Sequence, residues 1–459
     1  VTLVTVSSSR RWFGLGALAV SMLAIGLDIT ILNVALTTIS EELHAGTSQL
    51  QWIVDSYMLV FAALLLPAGL LGDRFGRKWL LIAGLAVFGA ASLGGALADG
   101  TGGVIVARTF MGLGAAIVTP LSMSILPAIF PPEERTRAIA IWSASTALGL
   151  PLGPLLGGWL LEHYWWGSIF LINVPVVVLG TVAVALLLPE SKDPAAPRVD
   201  GVGSLLSMGG LVALVYGVIE EPVRGWGAPA VLASFGAAIV LLTFFVLWER
   251  RAREPLVDVG LFRDPAFVWP MIAAVAASLV MTGALFVLPQ YLQAVQGNGV
   301  FGTGLRLIPM LLGLLGGGVV TDRVAPRAGH KPIMVTGLLV MAAGLGWGAT
   351  TAVGDPYSTT CLWLILLGLG CGLSLIPAMD ALLAALPPDQ AGRGSGLVHT
   401  LRNGAGTLSV AALGSLLSGV YRDRVETGRL HHPEDHEPGT GVPVRRLLRR
   451  TRRRIGRPR

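Results

Sequence analysis

The chain is poor in cysteine and poor in charge. Cys361 and Cys371 are its only cysteines. On one helix their spacing is a rise of about 15 Å, too far for a disulfide, and they point to no redox chemistry or metal site. Charged residues make up 13% of the chain, against about 25% in a soluble domain. No GxxxxGK[ST] phosphate loop occurs, which argues against ATP as the direct energy source. No metal cluster or nucleophile–base pair stands out, so the chain does not read as an enzyme.

What fills the sequence is apolar: 53% of its 459 residues are hydrophobic and the mean hydropathy is +0.71. Thirteen runs are long and apolar enough to cross a membrane. They lie near 13–36, 50–70, 80–98, 102–125, 138–160, 168–188, 203–221, 229–248, 266–289, 304–321, 332–350, 358–384 and 395–420. A soluble helical protein would not separate so many apolar runs by short polar turns. The 60 glycines and 28 prolines also suit membrane helices, which tolerate both. The first run is too long for the core of a cleavable signal and no small-residue cleavage site follows it. Trp52, Trp165, Trp166, Trp226 and Trp269 fall near run ends, as interfacial anchors do.

The few charges are placed with a bias. With the N-terminus in the cytoplasm, the inner segments hold seventeen Lys and Arg, while the outer connections up to residue 357 hold one, Arg224. That asymmetry orients the chain and puts the "GLLGDRFGRK" turn of residues 69–78 inside. The turn has a partner in "GVVTDR" at 318–323, followed by "GHK" at 329–331. Both end an inward run and precede a new one, so the chain reads as two halves of similar topology, roughly 1–190 and 262–421. An additional helix pair lies in 191–261, between the halves. Parallel repeats flanking a substrate site are a transporter architecture.

Several ordered motifs then coincide. "GLLGDRFGRK" resembles the signature loop of the major facilitator superfamily. More narrowly, "LDITILNVALTTI" (27–39), "ARTFMGLGAAIVTP" (107–120), "LGLPLGPLLGG" (148–158) and "WWGSIFLINVP" (165–175) resemble motifs of its fourteen-span drug:proton antiporters, among them quaternary-ammonium exporters. Thr37 stands where those proteins usually have proline. The resemblance implies an all-α integral membrane protein of two six-helix-type bundles with an extra helix pair between them. It also implies proton-coupled, alternating-access export of an amphipathic drug or antibiotic, cationic or neutral, from a cell membrane. The proton gradient replaces any cofactor; the bilayer is the other partner, no nucleic acid is expected, and a monomer suffices. Two other readings stay open: an exporter of one endogenous metabolite, and a transport-inactive truncated membrane protein.

Ionisable groups inside a membrane are expensive and functional by default. Counting 1.5 Å per residue from the outer run ends puts Asp28, Asp55 and Arg108 about 12, 8 and 9 Å deep, in one layer where they can neutralise one another. Burial favours the protonated form of a carboxylate and a nearby guanidinium favours the ionised form. Asp28 is therefore expected to exchange between a proton and a cation, with Arg108 tuning it. Asp380, His399 and Arg402 form a second polar cluster near the inner face of the later half. "GLVHTLRNGAG" (396–406) lacks the additional acid that related dication exporters carry.

In the turn, Gly69, Gly72, Asp73, Arg74, Gly76, Arg77 and Lys78 form the expected cytoplasmic latch, since a plain basic turn needs neither Asp73 nor three glycines. Gly149, Gly153 and Gly157 repeat at i, i+4 and i+8, a stripe that lets a second helix approach. With Pro151, Pro154 and Gly158 they form the family's antiporter gate. Residues 422–459 depart from the family. They hold 12 arginines and 5 acids and no apolar run, read as a tail without secondary structure, and suggest a truncated or frame-shifted end where a fourteenth span is expected.

Overall fold

Backbone amides in hydrocarbon find partners only within helices or closed barrels, and this chain is helical throughout its described residues. The computed structural model describes residues 8–191, 200–252, 259–352, 354–385 and 391–426. The first group of helices is α1 (Ser8–Glu42), α2 (Thr47–Phe75), α3 (Arg77–Ala96), α4 (Thr101–Ile129), α5 (Pro132–His163), α6 (Ser168–Leu171) and α7 (Asn173–Leu187). A pair follows, α8 (Gly201–Arg224) and α9 (Pro229–Glu249). The last group is α10 (Pro265–Gln290), α11 (Val300–Ala328), α12 (His330–Gly348), α13 (Tyr357–Ala384) and α14 (Ala391–Glu426). A compact unit ends at Leu416, and the last turns of α14 belong to a second unit.

Local chemistry sets the helix ends. Prolines 132, 229 and 265 sit in the first turns of α5, α9 and α10, where the missing N–H costs nothing. Asp200 and Asp264 cap α8 and α10 by accepting from Gly203 N at 2.9 Å and Ala266 N at 2.8 Å. Between α2 and α3 the chain reverses at Gly76, whose φ of +124° suits a residue without Cβ.

Eleven helices among the described residues are long and apolar enough to cross a membrane. The thirteen apolar runs all fall in helices, but α5 and α14 are not among the eleven. Their sequences carry "PEERTR" at the start of α5 and His399, Arg402 and Asn403 within α14. The sixth run spans α6 and α7, joined through Ile172, which keeps helical backbone angles and donates to the Ser168 carbonyl at 3.1 Å, so the two form one of the eleven spans. Trp166 is buried edge-on against Phe170, with ring centroids 6.2 Å apart, and Trp52 packs on Tyr216 at the same separation. These two are packing residues rather than free interfacial anchors; Trp165, Trp226 and Trp269 are exposed.

Close approaches knit the bundle together. A Cβ on Gly149 would stand 2.5 Å from the carbonyl carbon of Gly26, so α5 and α1 touch backbone to backbone. The pair α8–α9 joins the rest through α8: Val215 and Ile219 pack with Leu59 of α2 and Ala411 of α14. Along α9, Leu232, Ile239, Val240 and Phe244 are exposed, which suits a helix bathed in lipid.

Candidate functional site

A polar group without a partner is costly in an apolar interior, and the first helices bury a connected set. Arg108 of α4 is 1% exposed, as is Asp28 of α1; Nη1 of the arginine stands 2.6 Å from Oδ2 of the aspartate. Arg108 Nε donates to the Ile53 carbonyl of α2 at 3.2 Å. Its guanidinium lies over the Tyr57 ring, 4.2 Å from the centroid. The other Asp28 oxygen, Oδ1, accepts from Asn173 Nδ2 at 3.1 Å. Asn173 also donates to Ser92 Oγ at 3.1 Å, and Ser92 donates to the Phe170 carbonyl at 2.8 Å. Four elements thus converge on one carboxylate and its cation. The ionised pair is neutral overall, and a proton added to the carboxylate would leave the guanidinium's positive charge uncompensated.

Asp55 does not join this pair. It is fully buried, and neither oxygen has a hydrogen-bond partner among the described residues. The cause is azimuth. Residues 53 and 57 of α2 meet Arg108, while position 55 is about 200° round the helix from each. Its neighbours one turn away are Gln51, which donates to the Ala411 carbonyl of α14 at 2.7 Å, and Leu59, packed on α8 and α14. Asp55 therefore belongs to the α2–α8–α14 junction, and the expected three-way neutralisation is replaced by a two-residue pair.

The second expected cluster is also rearranged. Asp380 is exposed. Arg402 donates to Ser278 Oγ of α10 at 2.8 Å and to Met379 Sδ at 3.7 Å, neither of them an acid. The His399 side chain lies outside the described residues.

The 69–78 turn is anchored by groups that motif reading does not show. Gly69 and Gly72 face Pro120 and Leu121 of α4. Arg77 N donates to the Ser191 carbonyl at 2.9 Å, and Lys78 N to Glu190 Oε1 at 3.1 Å. Lys78 Nζ reaches the Ala185 carbonyl at 2.7 Å. Glu190, just past α7, is thus a central acceptor; the Asp73 side chain lies outside the described residues. Arg74 is exposed, with its guanidinium 5.7 Å from the centroid of the Phe75 ring.

The glycine stripe of α5 does what its spacing suggests. Gly149, Gly153 and Gly157 face Gly26, Thr30 and Ile31 of α1, while Gly158 faces Phe301 of α11 and the Pro154 carbonyl faces Gly304. The Pro151 side chain lies outside the described residues; α5 runs unbroken past it. At this end of the bundle, remote from the 69–78 turn, α1–α7 and α10–α14 meet repeatedly. Gln293, in a π-helical turn after α10, donates to the Val34 carbonyl at 3.0 Å and accepts from Thr37. Phe301 N donates to Glu162 Oε1 at 3.3 Å.

A multi-pass helical bundle with an ion pair buried between α1 and α4 has the make-up of a membrane transporter. Residues 18–410 match the family model of the Major Facilitator Superfamily, and the chain belongs to that family. It is 34% identical to the tetracenomycin C resistance and export protein of Streptomyces glaucescens, over 90% of this chain and 77% of that one. It is 33% identical to the multidrug efflux pump LfrA of Mycolicibacterium smegmatis, over 92% and 84%. The puromycin resistance protein of Streptomyces alboniger is 32% identical over 90% and 82%. Among solved structures, a peptide transporter in complex with sulfate aligns with a TM-score of 0.64 and 16% identity, covering 91% of this chain and 94% of that one. An inward-facing, occupied bacterial homologue of the lysosomal transporter Spinster gives 0.63 and 17%, over 93% and 87%. At such identities these two establish the fold alone.

Proposed function

We propose that this transporter exports amphipathic drugs or antibiotics, cationic or neutral, in exchange for protons. The buried Asp28–Arg108 pair carries the reading. A carboxylate that alternates between Arg108 and a proton gives the chain a group that can couple substrate release to proton uptake. Asp55, buried without a partner, is a second acceptor beside α8 and α14. The named resistance and multidrug-efflux relatives support the substrate class. The tetracenomycin C and puromycin relatives also favour a narrower version, export of one antibiotic.

The working architecture is two six-helix-type bundles, 1–190 and 262–421, with the pair of 191–261 between them and α5 and α14 completing thirteen spans. The basic-residue asymmetry supports a cell-membrane location with the N-terminus inside. In that orientation the junction of Thr37, Gln293, Glu162 and Phe301 is the outer gate, closed here, and the 69–78 turn with Glu190 is the inner latch. The contacts of the turn lie within the first bundle, so the latch braces α2, α3 and α7 as one body while the bundles rock and open the outer gate. No second subunit is needed for this cycle.

Efflux from cells expressing the chain tests the reading, over a panel of lipophilic dyes and antibiotics with the proton gradient intact or collapsed. Gradient-dependent efflux of several compounds supports multidrug export, and of one compound the narrow version. Efflux that persists after collapse of the gradient contradicts proton coupling.

A further inference from the structure

Arg108 and Arg402 both lie deep within the helices, and only one of them has an acid. Arg108 is held 2.6 Å from Asp28. Arg402 of α14 is half-buried and meets no carboxylate among the described residues. A guanidinium carries five N–H donors in a planar fork. Nε donates to Ser278 Oγ of α10 at 2.8 Å and Nη1 to Met379 Sδ of α13 at 3.7 Å. Its other donors have no acceptor among the described residues. A thioether is a weak acceptor and a hydroxyl carries no charge, so neither offsets the cost of a cation inside a membrane.

The position suits a ligand. Ser278 lies near the middle of α10, which runs from Pro265 to Gln290. The fork therefore stands near the midplane, the level at which transporters built of repeated bundles hold their substrate. Ser278 is buried, and Trp269, Ile272 and Leu279 are the exposed residues of the same helix. They stand about 100–180° round α10 from Ser278, so the fork points into the bundle and not to lipid. Nη2 is without a partner but is not an enclosed atom, which leaves one end of the fork open. Ser278 accepts from Arg402, and its own hydroxyl hydrogen has no acceptor among the described residues. Two donors thus converge on one spot.

Neighbouring acids do not supply the missing charge. The acid side chains described in α10–α14 are Asp322 and Asp380, and both are exposed. Asp380 follows Met379 in sequence but leaves α13 about 100° away from it. We propose that the space between α10, α13 and α14 at Arg402 binds an anionic oxygen of the transported molecule, a carboxylate or an ionised phenol. Arg402 is the counter-ion and Ser278 the second donor. A carboxylate matches the guanidinium fork with two parallel bonds and takes the place of Met379 Sδ. The site rests on the export reading and narrows it: the cargo is an amphipathic molecule with an acidic group, zwitterionic where it also carries a cation.

Rhodamine B and its ethyl ester test this, because they share one amphipathic cation and differ in a free carboxylate against an ester. Binding of each dye to the purified full-length protein in nanodiscs is followed by fluorescence polarisation, with empty nanodiscs as the blank. The wild type should bind rhodamine B about tenfold more tightly than the ester. Arg402→Met, uncharged and similar in length, should bring rhodamine B down to the affinity of the ester. Arg402→Lys keeps the charge without the fork and should retain a reduced preference; it serves where the methionine variant folds poorly. Ser278→Ala should weaken rhodamine B several-fold more than the ester. Equal affinity of the wild type for the two dyes overturns the site, as does failure to bind either. A loss in Arg402→Met that both dyes share equally also overturns it, since that is the mark of a helix tie. Carboxylate-selective binding that depends on Arg402, with no gradient-dependent efflux of rhodamine B from cells, upholds the site and overturns instead the export reading beneath it.

Discussion

Thr37 of α1 donates its hydroxyl hydrogen to Gln293, and Gln293 returns a bond to the Val34 carbonyl at 3.0 Å. The glutamine sits in a π-helical turn that follows Pro289, a local irregularity of the kind often found at functional sites. The threonine hydroxyl ties α1 to the end of α10, a bond that a proline at this position could not make.

The first prediction follows from that tie. Gln293→Leu removes both bonds and should loosen this end of the bundle. A single cysteine introduced at the neighbouring position 38, in a background lacking Cys361 and Cys371, should then react with a membrane-impermeant maleimide several times faster than with Gln293 intact. Equal rates would mean that Gln293 does not hold the closure.

The second concerns Tyr57. Its ring lies under the Arg108 guanidinium, while its hydroxyl has no partner among the described residues. Tyr57→Phe keeps the ring and should keep stability and efflux near wild type. Tyr57→Leu loses a desolvated cation–π contact worth about 2 kcal/mol, and should lower thermal stability and efflux together. A phenylalanine variant as damaged as the leucine one would assign the role to the hydroxyl.

Third, Gly76→Ala places a Cβ 3.0 Å from the Glu190 carboxyl at a φ of +124°. Such backbone strain costs on the order of 1–3 kcal/mol, concentrated where α2, α3 and the exit of α7 meet. Thermal unfolding of the purified variant should fall, with turnover reduced more than substrate affinity, because the turn binds no substrate. An affinity loss at normal turnover would contradict the latch.

Fourth, Gly149→Val forces apart α1 and α5 at the Gly26 backbone. Efflux should drop at least tenfold even where the protein reaches the membrane, as judged by its abundance there. Normal efflux would show that the two backbones need not touch.

Much of this was legible in one dimension and not in the others. Apolar runs located the helices, and depth counting brought Asp28 and Arg108 to one layer, because rise per residue is fixed. Depth carries no azimuth, so it grouped Asp55 with them although it faces the other side of α2. Arg402 was grouped with Asp380 for the same reason, and its bonds go to Ser278 and Met379. Applied to uncharged residues, the count would have found Ser92 and Asn173 too. Each lies about 8–9 Å from its outer run end. An uncharged amide such as Asn173, inside "WWGSIFLINVP", carries no membrane cost large enough to mark it in the sequence.

The central claim is that Asp28 carries the coupling proton. Its most direct test is reconstituted transport by Asp28→Asn, which keeps the shape of the side chain and cannot titrate. With a substrate identified from the panel, the variant should still exchange labelled for unlabelled substrate across the liposome membrane. It should fail to drive uphill transport under an imposed pH gradient. A well-folded variant that transports uphill at the wild-type rate would contradict the account.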